Sequence, residues 1–197
     1  MSKPINHMTS AEFRQFMKTD PKIQAVRATA DADRAVRSAE RRAAERPLTE
    51  ALQAAGYNVD SVWTLKSKYS EYDSALPILV EHLNRDYPDR VREGIARALS
   101  VRKAKKWWPE LKRHYIEATL PDAQDGLAQA LMRTVTAKTA DELIPLIQDE
   151  SNGKSRVLLV SSLKKSRNPA TRQFLEDLRA DPSLSLEAKR VVDGTRY

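Results

Sequence analysis

The sequence contains no cysteine, and this absence excludes several kinds of chemistry. Disulfide bonds, thiolate catalysis and cysteine-ligated zinc sites all require a residue that the chain lacks. No uninterrupted apolar stretch comes near the roughly 18 to 20 residues that a membrane-spanning helix needs. Residues 1–13 also lack the apolar centre of a signal peptide, so we expect a cytoplasmic protein with no membrane partner.

Glycine and aromatic residues are scarce as well. The 197 residues include five glycines, three phenylalanines, three tryptophans and six tyrosines, too few for a protein built on hairpins and pleated sheets. Alanine and leucine are abundant instead, and 31% of the residues are charged. This composition predicts an all-α protein that stays soluble.

A segment of the sequence repeats at an offset of 32 residues. Residues 94–99 (Gly-Ile-Ala-Arg-Ala-Leu) recur at 126–131 (Gly-Leu-Ala-Gln-Ala-Leu) and, more loosely, at 158–163. A period of roughly 20 to 50 residues indicates stacked units, none of which can bury its apolar face alone. Gly94 and Gly126 share one repeat position, although glycine disfavours a helix by about 1 kcal/mol. We therefore expect neighbouring helices to approach closely at both glycines.

The repeat predicts about four pairs of helices between residues 70 and 192. Apolar residues at helical spacing, together with helix-start residues such as Asp122 and Asn168, indicate the bounds of these helices. The predicted first helices span residues 74–85, 109–118, 140–149 and 169–179. The predicted second helices span residues 89–104, 122–136, 153–166 and 184–192.

These units resemble HEAT repeats, which pair a proline-bent first helix with a second helix that has a basic residue near its start. Pro77, Pro109 and Pro145 match the proline, and Pro145 is expected to bend its helix. Residues 88–92 (Pro-Asp-Arg-Val-Arg) match the turn and the basic position, whereas the middle unit has Gln124 instead. The resemblance implies a short right-handed α-solenoid that serves as an interaction surface. One branch of HEAT-like proteins consists instead of DNA glycosylases specific for alkylated bases.

The segment that precedes the repeats has two parts. Residues 1–46 are a predicted N-terminal helical extension, with a capping box at residues 9–12 and a long Ala- and Arg-rich helix over residues 22–45. This helix is either a solvated connector or an arm that docks a partner or forms a homodimer. Pro47 is expected to end it, and residues 47–68 predict an atypical helix pair that caps a solenoid domain of residues 47–197.

Two histidines stand one repeat apart. His82 and His114 each follow a repeat proline by five residues, and Glu150 holds the corresponding place in the next unit. Two imidazoles and a carboxylate match the ligands of some metal sites. Repetition alone also places equivalent residues at equivalent positions, so we predict a structural role for both histidines, with no metal and no cofactor.

The net charge of +7 is concentrated in bands, with residues 101–118 and 151–197 basic and residues 119–150 acidic. The second helices end in cations that are expected to lie along one edge of the stack. These cations either offset the exposed carbonyls of the helix ends, worth about 0.3–1 kcal/mol each, or form a binding edge. The residues predicted to bind a partner or a phosphate group are Arg92, Arg97, Arg102, Lys103, Lys106, Trp107, Arg133, Lys164 and Lys165.

Two adjacent tryptophans follow the basic run that begins at Arg102. Trp108 aligns with Leu76 of the apolar stripe and is predicted to be core. Trp107 aligns with Ala75 and is the better candidate for exposure. It is either an anchor for a partner or a cover over the joint between the first two repeats.

No catalytic motif is present: the chain has no Gly-rich phosphate loop, no nucleophile motif and no His-Glu-x-x-His helix. We therefore predict a non-enzymatic protein–protein interaction scaffold, or adaptor, that binds a partner with an acidic surface through the basic edge. The alternative is a nucleic-acid-binding protein that uses the same edge. A third hypothesis is a HEAT-like DNA glycosylase.

Overall fold

Abundant alanine and leucine, together with few glycines, favour helices. The computed structural model describes residues 8–194, and every regular element in this range is helical. The described residues form eleven α-helices: α1 (Ser10–Thr19), α2 (Pro21–Ala54), α3 (Val62–Lys68), α4 (Ala75–Leu83), α5 (Asp89–Ala98), α6 (Trp108–Glu117), α7 (Pro121–Thr134), α8 (Ile144–Gln148), α9 (Arg156–Val160), α10 (Pro169–Asp177) and α11 (Ser185–Val192). Short 3-10 helices cover Arg102–Trp107, Ala140–Leu143, Glu150–Ser155, Ser161–Lys165 and Leu178–Ala180. None of these helices is both long and apolar enough to cross a membrane.

The chain divides into two compact units after Ala43. In the first unit, Thr9 and Glu12 form the predicted capping box at the start of α1. The Glu12 amide donates to Oγ1 of Thr9 at 3.3 Å, and the Thr9 amide donates to Oε2 of Glu12 at 2.7 Å. Val26 and Val36 of α2 are 70% and 57% exposed, so these two large aliphatic side chains contribute little to a core.

The prediction that Pro47 ends the long helix is wrong, because α2 continues through Pro47 to Ala54. Proline removes a main-chain hydrogen bond from a helix interior, but tertiary packing offsets the loss. Leu48 and Leu52, which follow Pro47, are fully buried, and each such side chain contributes about 1.5–3 kcal/mol. The helix stops just before Gly56, and the φ of +92° at Gly56 explains why glycine stands there.

The four predicted helix pairs are present, but several helices are shorter than predicted. α5 ends at Ala98 rather than at residue 104, because the chain turns to bury Ala104 in the core. The predicted second helix of the third pair is interrupted: Gly153 has a φ of +54°, and only Arg156–Val160 is α-helical. Local periodicity therefore predicted the number of helices better than their ends.

All three repeat prolines lie in the first turns of their helices. Pro77 is the third residue of α4, whereas Pro109 and Pro145 are the second residues of α6 and α8. The expectation that Pro145 bends a helix is therefore wrong, because a separate 3-10 helix ends at Leu143, just before α8. A proline in the first turn lacks only an amide that has no partner within the helix.

One row of helices carries the core of the second unit. α3, α5, α7, α9 and α11 contact one another in that order, and α4, α6, α8 and α10 each pack against the next member of the row. As predicted, the close approaches depend on glycine: a Cβ on Gly94 would lie 2.6 Å from Cγ1 of Val62, and one on Gly126 would lie 2.8 Å from the carbonyl oxygen of Glu93. Trp108, which is 5% exposed, belongs to this core, as predicted.

Candidate functional site

Four of the predicted basic residues lie together on the second unit, and we call them the basic cluster: Arg102, Arg133, Lys164 and Lys165. Arg102 begins the 3-10 helix after α5, and Arg133 lies in the last turn of α7. The two lysines end the 3-10 helix that follows α9. The repeat explains part of this convergence, since Arg133 and Lys165 stand 32 positions apart and occupy the same place in consecutive units.

Lys165 is held in place at the centre of the basic cluster. Its Nζ donates to the carbonyl oxygen of Val135 at 3.0 Å. Burial, followed by the positive charges of Arg102, Arg133 and Lys164, lowers the pKa of Lys165. Across residues 8–194, no carboxylate forms an ion pair with any of the four cations. The three neighbouring cations therefore repel Lys165, and an added anion would lower this electrostatic energy.

Lys103 differs from the basic cluster because an acidic residue already binds it. Its Nζ donates to the carboxylate of Asp73, and this hydrogen bond raises the pKa of Lys103. A cavity of about 280 Å³ lies beside the pair, with Lys66, Arg102 and Arg133 also in its lining. Within this cavity, the charge of Lys103 is already paired with a carboxylate, whereas Arg102 and Arg133 form no ion pair in the described part of the chain.

A second group of polar residues surrounds Trp63, on α3. Trp63 is 38% exposed, and the guanidinium carbons of Arg90 and Arg97 lie 4.5 Å and 5.8 Å from the ring centroid. Each such cation–π contact contributes about 0.5–1 kcal/mol at an exposed site. Glu93, only 2% exposed, accepts from Nε of Arg97 at 2.6 Å and also from Nη1 of Arg90. One buried carboxylate therefore orients both guanidinium groups toward the indole.

Gln129 connects this group to α7. Nη1 of Arg97 donates to Oε1 of Gln129 at 3.0 Å. Between α3, α5 and α7 lies a depression of about 180 Å³, which we call the Trp63 pocket. Its lining consists of Val62, Trp63, Lys66, Gly94, Arg97, Ala98 and Gln129. Because Lys66 also lines the cavity beside the basic cluster, the two depressions adjoin.

The remaining predicted residues have different surroundings. Arg92 is half-buried beside His114, and its Nε is buried with no hydrogen-bond partner among the described residues. Nζ of Lys106 lies 4.2 Å from the ring centroid of Trp107, which is half-buried and packs against the core. Trp63 is therefore the most exposed indole of the three, in place of Trp107.

Both described repeat histidines are buried. Nδ1 of His82 lies 2.7 Å from the hydroxyl of Tyr87, and Nε2 of His114 lies 3.1 Å from Oδ1 of Asn84. Burial, followed by the nearby charge of Arg113, lowers the pKa of His114 to about 4. Nowhere in residues 8–194 do three histidine or carboxylate side chains converge in a way that would hold a metal ion.

A larger cavity, of about 890 Å³, lies near the starts of α9 and α11. Its charged lining includes Asp125, Glu150, Asp181 and Arg156, and no aromatic side chain contributes to it. Nη1 of Arg156 donates to the carbonyl oxygen of Ile147 at 3.1 Å and lies 3.8 Å from Asp181. The only guanidinium in this lining is therefore already bound by protein groups.

Sequence reasoning missed Trp63, Glu93 and Gln129. Trp63 precedes the repeats, so the 32-residue period gave no information about it. The spacing of Arg90, Glu93 and Arg97 by three and four residues was an available signal, because residues so spaced meet on one helix face. The only sequence signal for Gln129 was its alignment with Arg97 one repeat earlier.

Comparison with known proteins finds no matching protein family, curated protein or solved structure.

Proposed function

We propose that this chain is a non-catalytic binding protein, a short right-handed HEAT-like α-solenoid that docks an acidic protein partner on its basic cluster. The row of contacts from α3 to α11 supports the stacked arrangement. The 32-residue offset supports it as well, because equivalent residues meet across neighbouring units, as Arg97 and Gln129 do.

The observation that carries the proposal is the set of four cations that have no carboxylate partner within residues 8–194. Cations whose only role is to offset the exposed carbonyls of their own helix ends do not need to lie close to one another. Here, cations from three consecutive units lie close together. Convergence raises the local positive potential, which steers an acidic partner and stabilises the encounter. The acidic partner supplies the carboxylates that the described residues do not.

Nucleic acid remains the second candidate, because phosphates also satisfy clustered cations. Single-stranded nucleic acids additionally need open aromatic faces on which bases stack. Arg90 already lies over Trp63, and Lys106 lies over Trp107, so each of these indoles has one face covered by a cation. This coverage favours the protein partner. Base chemistry has the least support, because the cavity of about 890 Å³ offers no aromatic side chain to hold an extruded base.

Affinity capture with charge-reversed variants tests the proposal. The bait is the full chain, either unchanged or with Arg133→Glu and Lys165→Glu together, in nuclease-treated lysate of the cells that make it. A matched control carries Lys22→Glu and Lys189→Glu, two exposed cations outside the basic cluster, and has the same net charge. We expect an acidic protein that the unchanged chain and the control retain and that the cluster variant loses.

Two results would contradict the proposal. Equal retention by the cluster variant would remove the basic cluster from the interface. Capture that requires intact nucleic acid and weakens steeply as salt rises would show that phosphates are the natural ligand.

A further inference from the structure

The Trp63 pocket combines an apolar wall with polar groups in fixed positions. Val62, Trp63, Gly94 and Ala98 supply the apolar lining, and Lys66, Arg97 and Gln129 supply the polar part. The pocket volume of about 180 Å³ is close to the roughly 150 Å³ cavity that accommodates a benzene ring in another protein. The pocket therefore has the size of one large apolar side chain.

The walls of the pocket are organised before any partner arrives. Glu93, which is 2% exposed, holds Arg97 from one side, and Gln129 accepts from Arg97 on the other. Gly94 lets the indole of Trp63 lie against α5, since a Cβ there would stand 2.8 Å from Nε1 of Trp63. Side chains that are already ordered lose little entropy on binding, which is a property of interface hot spots.

The surroundings of the pocket are positively charged. Lys66 lies between the Trp63 pocket and the cavity that Arg102 and Arg133 line. A bound segment that runs from the Trp63 pocket to the basic cluster therefore passes Lys66, Arg102 and Arg133. The two carboxylates in the lining of that cavity, Glu71 and Asp73, both lie within ion-pair distance of Lys103. The cations that remain without a carboxylate partner favour an acidic segment through charge complementarity.

We propose that the Trp63 pocket receives one large apolar or aromatic side chain from an acidic segment of the protein partner, whose flanking carboxylates pair with Lys66. This inference rests on the proposed function and adds a specificity site to it. The apolar side chain sets the register of the segment, and the basic cluster binds the remaining carboxylates.

Short synthetic Asp/Glu peptides test the inference. Each peptide carries one variable central residue, which is phenylalanine, tryptophan, leucine or alanine, and binding to the full chain is measured by fluorescence anisotropy at low salt. We expect the phenylalanine, tryptophan or leucine peptide to bind about tenfold more tightly than the alanine peptide. Trp63→Ala is expected to abolish this preference while weak binding to the basic cluster remains.

Two further variants keep the result interpretable if Trp63→Ala fails to fold, which thermal unfolding reports. Lys66→Glu is expected to weaken all the acidic peptides, because it places a carboxylate at the rim of the pocket. Lys68→Glu, an exposed change on the same helix outside the pocket, is the matched control and is expected to leave binding unchanged.

The possible outcomes separate the two proposals. If the unchanged chain binds all the peptides equally, and Arg133→Glu with Lys165→Glu weakens them all, the pocket inference is wrong and the proposed function stands. If no acidic peptide binds, both are wrong. If single-stranded oligo(dT) binds more tightly than every peptide and Trp63→Ala removes that binding, a base occupies the pocket and the inference is overturned.

Discussion

Arg97 on α5 donates from Nη1 to Oε1 of Gln129 on α7 at 3.0 Å, and the two residues occupy the same position in consecutive units. The same pair of helices approaches closely where Gly126 faces the main chain of Glu93. The repeat thus produces both a packed contact between neighbouring helices and a hydrogen bond beside the Trp63 pocket. A substitution that changes the packing of α5 against α7 is therefore expected to change the Trp63 pocket as well.

Gly126→Ala is expected to destabilise the protein more than Gly94→Ala. Helix propensity alone would favour alanine at either position by about 1 kcal/mol. The new Cβ at residue 126 would lie 2.8 Å from the main-chain carbonyl oxygen of Glu93, which cannot rotate away, whereas at residue 94 the nearest atoms belong to the side chains of Val62 and Trp63. We expect Gly126→Ala to lose about 1–3 kcal/mol of unfolding free energy, measured with urea. Increased stability would show that the helices do not approach so closely.

Glu93→Gln is expected to destabilise the protein by about 1–2 kcal/mol, because it removes a buried charge that orients Arg90 and Arg97. The loss is limited because both guanidinium groups are partly exposed to solvent, which screens their interaction with Glu93. Glu81→Gln is the matched control, since Glu81 pairs with Arg85 at an exposed site and is expected to change stability by less than about 0.5 kcal/mol. Equal losses in the two variants would contradict the importance of burial at Glu93.

His114 is expected to make the fold sensitive to acid. Its pKa is lowered from 6.5 in the unfolded chain to about 4 in the folded protein. Between these values the unfolded chain binds a proton that the folded chain does not, so stability falls as pH falls through this window. Urea unfolding from neutral pH to about pH 4.5 measures the slope.

His114→Gln is expected to flatten that slope without removing it. His82 also has a lowered pKa, mainly through burial, and contributes in the same direction. His82→Gln is therefore the companion variant, with a smaller expected effect. A slope that His114→Gln leaves unchanged would show that His114 is protonated in the folded protein as easily as in the unfolded chain.

Lys165→Gln is expected to raise the stability of the free protein at low salt. The change removes one of four mutually repelling charges, and the gain should disappear at about 1 M salt, where screening is strong. Thermal unfolding at low and high salt measures the effect, with Lys189→Gln on α11 as an exposed control. A fall in Tm at low salt would contradict repulsion as the dominant effect and would show that the hydrogen bond from Lys165 to the carbonyl oxygen of Val135 contributes more.

The helix pairs and the proximity of two cations in the candidate site followed from sequence, since both depend on periodicity. Arg133 and Lys165 share a repeat position, and stacked units bring such positions together. Helix ends did not follow, because they depend on distant contacts: Ala98 ends α5 where the chain turns to bury Ala104. The pairing of Lys103 with Asp73 did not follow from the sequence either, since the two residues are 30 positions apart.

The sequence alone determined the all-helical composition, the number of helix pairs and the glycines at which helices approach, because local propensity and the 32-residue period encode them. Only the tertiary structure decided which cations remain without a carboxylate, and it alone placed Trp63 of α3 beside Arg97 of α5 and Gln129 of α7. Charge compensation and pocket formation depend on distances between side chains that are far apart in the chain. Those distances arise when the apolar faces of α3, α5 and α7 pack together and carry their polar residues into contact.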